Sequence, residues 1–334
     1  MSSTLPKHPF GLRYIYYHVF FAVLRSIIYL LKWNSLGNLK IPDGVVRKRI
    51  LVPSQEGGRS IKVDVYEPSG YDHTKPNAVI INFHGCVPEH YRSFHWLTLR
   101  CSSGYALPSL GVDHEYIATL VLKANVIVLD SDYRKAPENP FPAGLQDAMD
   151  VVNYVLAYPQ TYDTSNVFLS GFSAGGSLAL GVAMTLGPER IKGVFGFYPP
   201  VDITRQYPAP ESRFDGGRVV PRWMGKIFDG AYILPSQSNK DPLISCLHFN
   251  PEHHKFPNHV YLACGNADTL YTPIEKLAVK LKEVGVEDIV FRCVEFEAHA
   301  FDKVAKVETV TWERKIRMYR DVVDMVRKWV ETKL

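Results

Sequence analysis

The chain has 334 residues, of which 46% are hydrophobic and 22% charged, enough for one large α/β domain or two smaller ones with a sizeable core. The formal charge of +4 is small and Lys and Arg are dispersed, so the composition excludes a nucleic-acid footprint. Five widely spaced cysteines, without a Cys-x-x-Cys pair, suggest neither a disulfide framework nor a zinc site, and fit a reducing intracellular compartment.

Tyr14 to Leu31 is apolar and about the minimum length for a membrane span, but His18, Arg25 and Lys32 recur every seven residues and so share one helical stripe. An apolar helix with a polar stripe lies along a surface rather than across a bilayer. Residues 1–44 are therefore expected to form a cap helix over an apolar pocket, with membrane-surface contact as the alternative. The run is followed by no small-residue cleavage site. Residues 45–334 read as the main domain.

Arg49 to Val52 and Ile61 to Tyr66 alternate like an antiparallel edge pair. Six runs then look buried on both faces: Ala78 to Phe83, Asn125 to Asp130, Val167 to Ser170, Gly193 to Tyr198, Val260 to Ala263 and Ile289 to Val294. Helical patterns, such as Gly144 to Tyr158, Pro273 to Val284 and Val304 to Trp329, lie between or after them. Strand and helix in alternation predict an α/β fold, a mostly parallel sheet covered on both faces. Residues 202–251, rich in Pro, Gly and aromatics, read as a lid-like region beside the sheet.

The pattern Gly171-Phe-Ser-Ala-Gly175 sits between a strand and a small-residue helix. A serine on so sharp a turn needs glycine at its flanks, and its hydroxyl stands exposed at a helix N-terminus. Ser173 is thus the candidate nucleophile. It needs a base, and the base needs an orienting acid. Asp268 follows the strand Val260 to Ala263, and His299 follows Ile289 to Val294, both at carboxyl ends where open α/β sheets place their sites. Asp302 competes weakly with Asp268 for the acid's role.

The segment Asp132-Tyr-Arg-Lys-Ala-Pro-Glu-Asn-Pro-Phe-Pro-Ala143, with Asp147, His84-Gly85, Gly171 to Gly176, Gly265-x-x-Asp268-x-Leu270 and His299, resembles the hormone-sensitive-lipase-like esterase family, in its fungal secondary-metabolism flavour. The resemblance runs from about Val45 onward. It implies an α/β-hydrolase fold with an N-terminal cap, and carboxylic-ester hydrolysis through an acyl-enzyme without metal or organic cofactor. It also implies a small acyl or polyketide-like ester as substrate. Amide cleavage by a deacetylase or formamidase is one alternative; a small-molecule binder with an impaired site is another. Oligomeric state is not indicated.

Two positions depart from the family's pattern. Phe172 stands where the family has Asp, and would pack rather than react. More seriously, the family's His-Gly-Gly-Gly loop here continues from Gly85 into Cys86-Val-Pro-Glu-His90. Ser103-Gly104-Tyr105 would restore the pattern if the 17 residues Cys86 to Ser102 were removed. That segment reads either as a retained short intron or as a native loop insertion. The oxyanion candidates are accordingly His84, Gly85, Ser103 and Gly104, with the N–H of Ala174. The chain ends Thr332-Lys333-Leu334, similar to a peroxisomal Ser-Lys-Leu address, with the cytoplasm as the alternative location.

Overall fold

The structure, a computed structural model, describes residues 6–33, 41–85, 104–204 and 222–331. The whole of the 86–102 segment, Ser103, residues 205–221 of the lid-like region and the C-terminal tripeptide lie outside the described residues.

Among the described residues eight strands form one sheet: β1 (Val45–Pro53), β2 (Ser60–Pro68), β3 (Asn77–Phe83), β4 (Ile127–Ser131), β5 (Tyr162–Phe172), β6 (Gly193–Phe197), β7 (His259–Gly265) and β8 (Asp288–Val294). Their order is β1-β2-β4-β3-β5-β6-β7-β8. The pairs β1–β2 and β2–β4 are antiparallel, and every other pair is parallel. The expected edge pair and parallel centre are both present, because runs such as Val79-Ile-Ile-Asn-Phe83 bury side chains on both faces.

Seven helices accompany the sheet among the described residues: α1 (Leu12–Trp33), α2 (His114–Ala124), α3 (Ala143–Leu156), α4 (Ala174–Leu186), α5 (Arg222–Tyr232), α6 (Tyr271–Glu283) and α7 (Val310–Glu331). α2 packs with α7, and α3 packs with α4. α4 is apolar or small almost all round, and Ala174 to Met184 are all buried; such a helix belongs in a core. Trp329 closes the far end of the sheet, its ring 5.3 Å from that of Phe195 and 4.7 Å from that of His259.

Two sequence expectations are corrected. The run Ile289 to Val294 is not buried on both faces. It lies in β8, the terminal strand of the sheet, where most of its side chains are half-buried and Cys293 is exposed. The last helix starts at Val310 rather than Val304, because Thr309 takes the Trp312 N–H on its hydroxyl (3.2 Å) and so caps it. In α1, His18 and Arg25 of the polar stripe reach the domain beneath. His18 Nδ1 lies 3.3 Å from Glu138 Oε1, and Arg25 spans Glu138 (2.8 Å) and the carbonyls of Ala106 and Ala136. Those carbonyls lack strand or helix partners, so an arginine fork satisfies them at the helix's inner rim. Tyr17, Phe21, Leu24 and Ile28 bury the rest of that face, with Phe21 edge-on to Phe228 of α5 (5.1 Å).

Candidate active site

The site lies at the carboxyl ends of β5, β7 and β8. β5 runs straight into α4, and the turn between them puts Ser173 at φ 50°, ψ −120°, a conformation rare for a residue with a side chain. The surrounding backbone enforces it. A Cβ on Gly175 would sit 1.8 Å from the Phe83 carbonyl oxygen, and one on Gly85 would sit 1.5 Å from that of Phe172. Strand β3, its exit loop and the turn are therefore pressed backbone to backbone, which only glycine permits. The Ser173 N–H is tied to the Phe197 carbonyl (2.9 Å).

Asp268 and His299 stand on two loops that are laced together. Asn266 N–H donates to the Val294 carbonyl (3.1 Å), Ala267 N–H to that of Glu297 (3.0 Å), and Phe296 N–H to Asn266 Oδ1 (2.7 Å). Buried Glu297 is anchored from α7 by Arg314 (2.8 Å) and Thr311 (2.9 Å). The result is a continuous chain: Ser173 Oγ lies 3.0 Å from His299 Nε2, and His299 Nδ1 lies 2.7 Å from Asp268 Oδ2. Asp268 also accepts the Leu270 N–H on its other oxygen (3.0 Å), which fixes the carboxylate plane.

Asp302 does not compete for this position. Its oxygens accept the hydroxyls of Tyr198 (2.6 Å) and Tyr319 (2.7 Å), and Lys303 Nζ lies 3.0 Å away. Burial opposes the charge, but Lys303 and the two hydroxyls hold this carboxyl below its ordinary range. Lys303, bridged to Asp113 at 2.7 Å, is raised in turn by the two carboxylates despite its burial. It also sits 3.4 Å over the Phe172 ring, which stacks on Phe197 at 4.3 Å. Phe172 thus packs, as expected, and the cation above it is already neutralised.

Sequence reading missed two neighbours of His299 and Asp268. Tyr198, held at φ 39°, places its ring edge-on to His299 at 4.8 Å, with its hydroxyl locked by Asp302. The buried Cys264 thiol approaches Asp268 Oδ2 at 3.6 Å, and burial together with that carboxylate pushes the thiol well up. Tyr198 ends a strand run that the sequence did show, but nothing local marks it as a neighbour of His299.

The oxyanion candidates divide. Ala174 is the first residue of α4, directly after Ser173. Gly85 lies against Phe172 and Ser173, its Cβ position 3.1 Å from Ser173 Cβ. The fully buried His84 ring stacks on Tyr133 (4.8 Å), Nε2 lies 3.3 Å from Asp132 Oδ1, and the His84 carbonyl accepts the Tyr133 hydroxyl (2.9 Å). Its ring is therefore a tether for the loop. Burial, reinforced by Lys135, lowers it to about 4, so it is neutral above that pH. Gly104, at φ +41°, lies against Phe228 of α5, and Tyr105 stacks on Tyr232 at 3.7 Å. Ser103 is outside the described residues.

No group of His, Cys, Asp and Glu among the described residues has the arrangement of a metal site.

Comparison with known proteins gives consistent relatives. The model of a family described by its alpha/beta hydrolase fold matches residues 102–303. An AB hydrolase superfamily protein of Schizosaccharomyces pombe is 26% identical over 238 residues, 68% of this chain and 65% of its own. Versiconal hemiacetal acetate esterase of Emericella nidulans is 31% identical over 185 residues, 51% of this chain and 61% of its own. Tuliposide A-converting enzyme 2 of Tulipa gesneriana is 30% identical over 179 residues, 49% of this chain and 42% of its own. The chain thus spans less than two thirds of each of these relatives. Among solved structures, a bacterial heroin esterase superposes with a TM-score of 0.75 at 19% identity, covering 98% of this chain and 95% of that one. An esterase of Pyrobaculum calidifontis gives 0.73 at 20%, with 93% and 94% covered. At those identities the likeness is one of fold.

Proposed function

This chain belongs to the alpha/beta hydrolase fold family, and from that premise we propose that it is a serine carboxylic-ester hydrolase acting through an acyl-enzyme. The observation that carries the proposal is the unbroken chain Ser173–His299–Asp268, at 3.0 and 2.7 Å, contributed by three separate loops. The name of one relative, a versiconal hemiacetal acetate esterase 31% identical over 185 residues, points the same way.

In this reading His299 Nε2 takes the Ser173 proton as Oγ attacks the ester carbonyl carbon. Asp268 Oδ2 holds Nδ1–H and stabilises the imidazolium. The tetrahedral oxyanion forms at the N-terminus of α4, where the Ala174 N–H and the dipole favour negative charge, with the Gly85 and Gly104 segments as further donors. His299 then returns the proton to the departing alkoxide. Water, deprotonated by the same imidazole, hydrolyses the acyl-serine and restores the enzyme. Tyr198 would hold the imidazole face during both transfers.

The substrate class we infer is a small acyl ester of an apolar alcohol, such as an acetate in fungal secondary metabolism. The apolar helix α1 and the aromatic-rich stretch 202–251 of the sequence support this. Turnover of p-nitrophenyl acetate, butyrate and octanoate, alongside an acetanilide, tests the reading. Ester turnover that falls by about 10⁶ in Ser173→Ala supports it. Preferential cleavage of the anilide would favour the amidase reading, and tight ester binding without turnover would favour a binding protein. The C-terminal tripeptide supports peroxisomal import, which a reporter fused to that segment would disprove by remaining in the cytosol.

A further inference from the structure

The outer face of α1 is as apolar as the inner one. Leu12, Ile15, Tyr16, Val19, Val23 and Leu30 fall at i, i+3, i+4, i+7, i+11 and i+18, one continuous stripe, and all are exposed. The polar residues that would ordinarily occupy that side, His18 and Arg25, are instead spent on Glu138 and backbone carbonyls of the domain beneath. A helix apolar on two faces wants a cover on both, and among the described residues the domain covers only one.

We propose that this stripe docks on an anionic lipid surface. Charge selects that occupant. The first 42 residues contain Lys7, Arg13, Arg25, Lys32 and Lys40 and no Asp or Glu. Lys7 and Arg13, near the start of the helix, are exposed. A helix lying in the plane of a membrane combines this acid-free charge with an apolar face and a rim of aromatic rings. Phe10 (87% exposed) and Trp223 of the adjoining α5 (53% exposed) supply further exposed aromatic surface.

Size argues against a second copy of the chain. The helix has 22 residues, a length of about 33 Å, and a single stripe of side chains along it falls short of the about 20 to 30 residues a side of a stable interface. Crossing the bilayer is not the mode either: among the described residues no helix is long and apolar enough to span a membrane. α1 lies on the surface, held to the domain through Arg25 and Phe21.

Flotation of the full chain with two kinds of vesicle tests this: phosphatidylcholine alone, and phosphatidylcholine in which about a third is replaced by phosphatidylserine. The chain is expected to float with the anionic vesicles and to be released by high salt. The double variant Val19→Ser/Val23→Ser should partition about tenfold more weakly or less, given the apolar area removed. A second pair at the helix ends, Ile15→Ser/Leu30→Ser, should do the same. All four positions are exposed, so melting curves and turnover of a soluble ester should match the parent chain. The proposal is overturned if the parent chain stays at the bottom of the gradient with both vesicles. It is equally overturned if both pairs float like the parent. Sedimentation as a dimer that either pair dissociates, without flotation, would assign the stripe to a second copy instead.

Discussion

The turn at Ser173 and the helix α1 are held by opposite means. Around Ser173, backbone lies on backbone: Gly85 against Phe172, Gly175 against Phe83, with no room for a methyl group. At α1 the contacts are made by side chains, one arginine fork on a carboxylate and two carbonyls and a few aromatic rings. The first arrangement fixes atoms to a fraction of an ångström and fails abruptly when altered. The second tolerates adjustment and, among the described residues, leaves one face of α1 uncovered. A catalytic constellation needs the former; a cap that meets a substrate or a surface can work with the latter.

That contrast can be broken at several points. Asp268→Asn keeps the shape of the laced loops but removes the charge that orients His299, and should lower kcat by about 10⁴ with an unchanged melting curve. Gly85→Ala demands a shift of the loop away from Phe172. The expected loss is about 10²- to 10³-fold in kcat, the value of one misplaced oxyanion donor, with KM for a small ester little changed. A Gly85→Ala enzyme of full activity would show that this loop does not serve the oxyanion.

The His84 tether sharpens the comparison through pH. Its folded value of about 4 lies below the ordinary 6.5, so the unfolded chain takes up the proton first. The fold should therefore lose stability as pH falls from 6.5 toward 4. Thermal melts across that window should fall less steeply for His84→Asn, which carries no such proton. The smallest global effect is expected at the cap. Arg25→Ala strips partners from the Ala106 and Ala136 carbonyls and should cost about 1 to 3 kcal/mol. Hydrogen exchange should locate that loss in α1, with β5 to β7 protected as before.

The same contrast explains what the sequence made legible. Glycine spacing around Ser173 is a direct imprint of backbone contact, so it survives as a short pattern. Asp268 and His299, which the structure brings to Ser173, could be singled out because chain order and strand ends constrain them. The parallel sheet was visible because doubly buried strands are apolar throughout. Legibility fails where position depends on distant side chains. Tyr198, Asp302, Lys303 and Tyr319 meet across separate elements, and no local period marks their network. Cys264 was one of five scattered cysteines, and nothing in the sequence marked its contact with Asp268. The stripe of α1 was read correctly as a stripe, but a sequence does not say that the domain would offer Glu138 and two bare carbonyls to it. β8 misled because its composition matches a central strand while its place in the order is the edge.

The most direct test of the account is intact mass after exposure to a fluorophosphonate probe, with Ser173→Ala as the control. An assembled Ser173–His299–Asp268 chain predicts one adduct, absent from the variant. An unmodified parent protein, or an adduct that persists in Ser173→Ala, would contradict it.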